Sequence, residues 1–242
     1  MKSLNWQCDD KSKWGLGPWN DEPDKVQFMT AAGLPGLILR GPVGALCGYV
    51  GVLPNHPLHG IAYNEDTDLL GDALTERMAQ PIGEHPPFPV LVAAVLGGEV
   101  KRSPDVVFNV HGGLTFSGHC QEPTREGWEM WRASMLKRKG EAVTHPVGDM
   151  AKAWSERADQ IDDYEAFAAW VRPRAICHKP EPGDPDNVWW FGFDCAHCDD
   201  LAPEMLKYRD FSRGIETYRD LAYVRHEVES LAGQLAALGE AR

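Results

Sequence analysis

The sequence predicts an α+β fold: a mixed, mostly antiparallel sheet, a helical insertion and a long C-terminal helix. Three observations carry that expectation. Leu37–Arg40 and Ala45–Val52 are short apolar runs on either side of Gly41-Pro42-Val43-Gly44, the pattern of a hairpin. Asn187–Phe193 is an aromatic run with one glycine, the composition of a strand buried on at least one face. The last stretch, about 216–238, places Leu221, Val224, Val228, Leu231, Leu235 and Leu238 at steps of three and four, which makes a helix with an apolar seam.

Residues 1–36 alternate turn formers with large aromatics, centred on Trp14-Gly15-Leu16-Gly17-Pro18-Trp19. They predict an ordered arm lying over the body. After the hairpin, Leu53–Gly60 is a turn-rich loop with His56 and His59, where Pro57 forbids the helical geometry of a paired metal site. Thr67–Gln80 predicts a short amphipathic helix, and Val90–Leu96 an apolar segment that periodicity cannot assign. Asp105–Val110 predicts a strand, so the sheet is expected near 37–52, 106–117 and 187–193. Charged helical stretches then fill Pro123–Gly140 and Pro146–Val171, an insertion at about 123–174 in a single domain spanning 1–242.

With 242 residues, 43% hydrophobic and 25% charged, the chain has ample material for a core. A net charge of -12 argues against nucleic-acid polymers and anionic membranes as partners, but leaves room for a small anionic ligand held locally. No apolar run reaches the roughly 18 residues that span a bilayer, and no signal peptide is evident, so a cytoplasmic location is expected. In that setting the six cysteines are expected to be reduced. The terminal seam is expected to pack on the body or to pair with its twin in a homodimer.

Two stretches carry ionisable groups at strand ends. One is His111-Gly112-Gly113-Leu114-Thr115, continuing to His119 and Cys120; adjacent glycines permit a sharp turn whose amides suit a phosphate oxygen. The other is Trp189-Trp190-Phe191-Gly192-Phe193-Asp194-Cys195-Ala196-His197-Cys198-Asp199-Asp200. The catalytic candidates are His111, Cys195 and His197; Gly112, Gly113, Thr115 and Trp189 are candidates for ligand contact. His111, Asp194, His197 and Asp200 are candidate ligands of a divalent metal, zinc or manganese. Three chemistries remain open: a metal site, a thiol nucleophile at Cys195 or Cys120, and a structural zinc site in which Cys195 and Cys198 are completed by Cys120 and Cys177.

The runs Val110–Cys120 and Val188–His197 resemble a family of small proteins of bacteriophages and actinobacteria. Gly15–Pro23, Leu46–Val52 and Tyr218-Arg219-Asp220 with Tyr223-Val224 share in the resemblance, which covers most of the chain outside about 64–104 and 123–174. The family supplies no activity to carry over. It implies counterparts for Asp194, Cys195, His197 and Asp200 but a small residue at Cys198, which counts against the structural zinc site. A phage context implies a host-directed task, such as disposing of a defence signal. The reading that joins these strands of argument is a small-molecule hydrolase, metal-assisted, acting on a nucleotide-like phosphoester. The alternative is a protein that sequesters such a ligand, or docks on a host protein, without turnover.

Overall fold

The computed structural model describes residues 1–41, 43–79, 101–144, 161, 163–197, 199–208 and 216–240. The fold is α+β. The chain divides into two compact units, one formed by Met1–Cys120 with His178–Arg242 and the other by Gln121–Cys177.

The first unit is built on a six-stranded sheet in the order β1-β2-β3-β4-β6-β5. Its strands are β1 (Leu4–Trp6), β2 (Lys25–Met29), β3 (Pro35–Arg40), β4 (Leu46–Val52), β5 (Phe116–His119) and β6 (Trp189–Asp194). Every pairing between these described strands is antiparallel, in keeping with the mostly antiparallel sheet that the sequence suggested. The hairpin of β3 and β4 forms as expected, closed by Gly41 N–H donating to Ala45 O at 2.8 Å. β1 and β2 come from the arm, which is therefore part of the sheet and not a cover over it.

Strand alternation sorts the sheet into two faces. Val26, Phe28, Ile38, Leu46, Val50, Val52, Phe191 and Phe193 lie on one, and all are buried. The C-terminal helix packs on this face through Val224, Val228, Leu231, Ala232 and Leu235, each with no exposed surface. Its close approach requires Gly48, because a Cβ there would collide with Phe193 and Val228. The seam thus closes on the chain's own sheet, and these residues are not open to a second copy.

The helices of this unit are α1 (Gly71–Ala79), entered through a 3-10 turn at Asp68–Leu70 that Thr67 caps, and the four-residue α2 (Pro104–Val107). The strand expected at 105–110 is therefore absent. Pro104 sits at the first helical turn, where its fixed φ and missing N–H are tolerated, and Val106 and Val107 are buried from a helix instead. The predicted segment Val90–Leu96 lies outside the described residues.

In the second unit, α3 (Arg125–Thr144) and α4 (Tyr164–Val171) are held by an aromatic cluster. Trp131 lies 5.5 Å from Phe167 and 6.0 Å from Trp170, centroid to centroid. Asp163 caps α4 by accepting from Ala166 N–H at 2.8 Å. The first-unit helix that closes the chain is α5 (Leu221–Glu240). Among the described residues no helix is long and apolar enough to cross a membrane.

Candidate functional site

The C-terminal end of β6 and the loop leading into β5 meet at a buried carboxylate, Asp200. Thr115 N–H donates to Gly192 O at 2.9 Å, so the His111–Leu114 loop is carried to the end of β6. The chain leaves β6 at Asp194 and turns, with Asp200 N–H donating to His197 O at 3.0 Å. Asp200 is then fixed by a parallel bridge to Thr217, just before α5.

Asp200 gathers four groups. Its Oδ2 accepts from His111 Nε2 at 2.8 Å and from His197 N–H at 3.0 Å, and lies 3.5 Å from His197 Nδ1. Its Oδ1 accepts from Arg219 Nε at 2.9 Å. Burial alone would push this carboxyl up, but the bonds from His111, His197 and Arg219 outweigh it and hold it far below the usual carboxylate range. Asp200 is therefore ionised at any working pH.

His111 is buried and fully engaged. An ionised carboxylate accepts only, so Nε2 carries the proton shared with Asp200. Nδ1 lies 2.9 Å from Tyr223 Oη, which donates to it in the neutral ring, and His111 N–H donates to Glu227 Oε2 at 2.8 Å. A general base needs a free lone pair, and this imidazole offers none. His111 props Asp200 in this arrangement, with both of its ring nitrogens already engaged.

The neighbour of His111 is His197, whose side chain is 38% exposed. Its bond to Asp200 raises its pKa above the ordinary histidine value; burial opposes the rise and the charge of Asp194 adds to it. The ring packs 5.5 Å from His111 and directly over Gly112. Gly112 has φ +65°, and a Cβ there would fall inside the His197 ring. Its importance is thus the space it leaves for an imidazole. Gly113 does not offer its amide to a ligand, since that N–H donates to Val110 O at 3.0 Å and closes the turn.

Other candidates are placed elsewhere. Cys195 is 2% exposed within the core; burial, then Asp200, Cys47 and Asp194, push its thiol well above the usual range. A buried thiol held neutral is no nucleophile, so the catalytic role expected of it is not supported. Asp194 points to the other face of the sheet, where it accepts from Thr115 Oγ1 at 3.1 Å and from Ala196 N–H at 3.1 Å. Neither Asp194 nor Thr115 joins the cluster. Trp189 begins β6, five residues from its end and roughly 16 Å away along the strand, so it cannot wall this site. Cys120 is disulfide-bonded, which removes it as a nucleophile and corrects the expectation that all cysteines are reduced.

Sequence reasoning overlooked Arg219, Tyr223 and Glu227 as site residues. Tyr223 and Glu227 stand at i and i+4 in the first turns of the last helix, a spacing on one face that was the available signal, whereas Arg219 lies just before that helix. The N-terminal arm fixes this segment. Glu22 accepts from Leu221 N–H at 2.8 Å and from Arg40 Nη2 at 3.2 Å, and Tyr218 donates to the same carboxylate. Arg40 is in turn bonded to Asp24 at 2.9 Å, and Trp19 packs on Tyr218 at 5.2 Å. Arg219 reaches Asp200 through Nε alone, and its guanidinium lies 4.8 Å above the Tyr223 ring. Both Nη groups have no protein partner among the described residues, which suits them to an anion.

One ligand atom each from His111, His197 and Asp200 lies within 4.8 Å of the others, the spacing of a metal triad. Two imidazoles and a carboxylate fit zinc or manganese, and His111 Nδ1 is oriented by Tyr223 as a ligating histidine is by its outer partner. Such an ion would have to displace the His111 Nε2 proton and share Asp200 with Arg219.

No family model, no curated protein and no solved structure matches this chain.

Proposed function

We propose that the chain is a hydrolase of a small, nucleotide-like phosphoester, with His197 as its general base. The observation that supports this reading most is the exposed His197 ring over Gly112, with Nδ1 facing a permanently ionised, buried Asp200. A carboxylate so placed orients the imidazole and stabilises the imidazolium formed when the other ring nitrogen takes a proton from water. Arg219 presents its Nη groups to the ester's anionic oxygens, and His111 holds Asp200 in place. In the hydrolysis, water adds to phosphorus as it gives its proton to His197, and the P–O bond to the leaving alcohol breaks. His197 then returns the proton to that leaving oxygen.

A metal-assisted form of the same reaction is favoured by the three donor atoms within 4.8 Å. There His111, His197 and Asp200 would hold a divalent ion, whose chemistry is to lower the pKa of water and offset charge on the phosphoryl group.

The test is turnover by purified protein of cyclic nucleotides, cyclic dinucleotides and nucleoside phosphomonoesters, with and without EDTA. The expected result is hydrolysis of at least one class, reduced about 10²–10⁴-fold in His197→Ala. Activity that survives EDTA supports the metal-free base, and activity abolished by EDTA and restored by zinc or manganese supports the metal form. Tight retention of a nucleotide without hydrolysis would overturn the proposal.

A further inference from the structure

The opposite end of β6 holds a second pair of histidines. His119 ends β5 and is paired in register with Trp189, the first residue of β6. His59 closes the loop after β4, where its N–H donates to His56 O at 3.0 Å. The two rings lie 5.6 Å apart, and Trp189 stands 4.8 Å from His119 and 6.3 Å from His59. Trp189 is itself fixed, its indole N–H donating to Ile61 O at 3.0 Å.

Among the described residues His59 Nε2 is buried and without a hydrogen-bond partner. Among the described residues neither His59 nor His119 makes a hydrogen bond through its ring. Leaving a buried polar atom unsatisfied costs about 1–3 kcal/mol, so such an atom usually marks a missing partner. Neighbouring His56 shows the contrast: Nδ1 accepts from Leu58 N–H at 3.1 Å and Nε2 lies 2.9 Å from Leu235 O. Two imidazoles on one ion at about 2.0–2.1 Å place their ring centres about 5 Å apart, close to the separation found here.

We propose that His59 and His119 form a second metal site, selective for zinc, copper(II) or nickel over magnesium and manganese. The donors are two imidazole nitrogens, and among the described residues neither ring pairs with a carboxylate, which suits borderline ions and not hard ones. His119 is exposed, so water completes the coordination from that side. The ion ties the loop at 53–60 to the edge formed by β5 and β6. This site shares no residue with the Asp200 cluster.

Isothermal titration of EDTA-treated, desalted protein with zinc, nickel and magnesium chlorides tests the proposal, alongside thermal unfolding and tryptophan fluorescence. One equivalent of zinc or nickel should bind at this site, raise Tm by several degrees and, for nickel, quench Trp189. That equivalent and its Tm rise should vanish in His119→Ala and His59→Gln and persist in His197→Ala, with no counterpart for magnesium. The exposed His119 can be replaced without disturbing the core, so His119→Ala decides the matter even if His59→Gln fails to fold. Stoichiometry unchanged in His119→Ala, an equivalent lost only in His197→Ala, or no zinc or nickel bound by the wild type would each overturn it.

Discussion

The two ends of β6 carry similar side chains in opposite states of satisfaction. At the Asp194 end a buried carboxylate engages His111, His197 and Arg219, and the buried imidazole is bonded at both nitrogens. At the Trp189 end two imidazoles meet, and among the described residues neither ring has a hydrogen bond or a paired carboxylate. The difference teaches which interactions stabilise the fold and which are held ready for something else. A buried charge with every bond made is expensive to disturb, whereas an unpaired imidazole near the surface contributes little until a ligand arrives.

The largest effect expected from this contrast is that of Asp200→Ala. It leaves Arg219 and His111 without their partner in a buried setting, and should cost about 3–5 kcal/mol in urea unfolding. His119→Ala, by the same measurement in the absence of metal, should change stability by no more than about 0.5 kcal/mol. Equal losses at the two positions would break the comparison.

Gly112→Ala comes next. Its side chain would occupy the space of the His197 ring and adopt an unfavourable positive φ, which together should cost about 1–2 kcal/mol and displace the imidazole. Differential scanning calorimetry reads the first effect, and loss of phosphoester turnover the second.

How far this site could be read from sequence depends on what each residue does. His111, His197 and Asp200 were legible because ionisable groups that follow apolar runs are conspicuous, even though the run before His111 folds as a short helix and not a strand, and the structure brings them together although 89 residues separate His111 from Asp200. The hairpin and the C-terminal helix were legible because their periods are clean. β2 was hidden by Lys25 and Gln27, polar residues that interrupt its apolar pattern yet are buried; Gln27 donates to Lys2 O and Lys179 O and accepts from Lys179 N–H. The helix at Pro104–Val107 was mistaken for a strand because a four-residue turn is too short to show a period. Arg219 and Glu227 lie off the apolar seam that marks the last helix, and only tertiary contact reveals their partners.

A smaller effect separates His111 from His197. Tyr223→Phe removes the hydroxyl at His111 Nδ1 and should cost about 1 kcal/mol, with a further loss of turnover if the prop slackens. The smallest concerns pH. Because the folded pKa of His197 is raised, its contribution is fully present below about pH 6.5 and is lost as pH rises through the higher folded value. With its ring partly in water, that contribution should stay below about 1 kcal/mol. Unfolding free energies of wild type and His197→Gln, measured from pH 5 to 9, should converge toward the alkaline side. Asp200 acts in the opposite sense: its contribution is present above about pH 3.9 and disappears only as pH falls through its depressed folded pKa.

The most direct test of the central claim is an NMR titration of the His197 ring in wild type and in Asp200→Asn. If Asp200 holds His197 poised as a base, the wild-type midpoint lies above the ordinary value of about 6.5 and falls in Asp200→Asn. A wild-type midpoint at or below that value, or one unchanged by the substitution, would contradict the account.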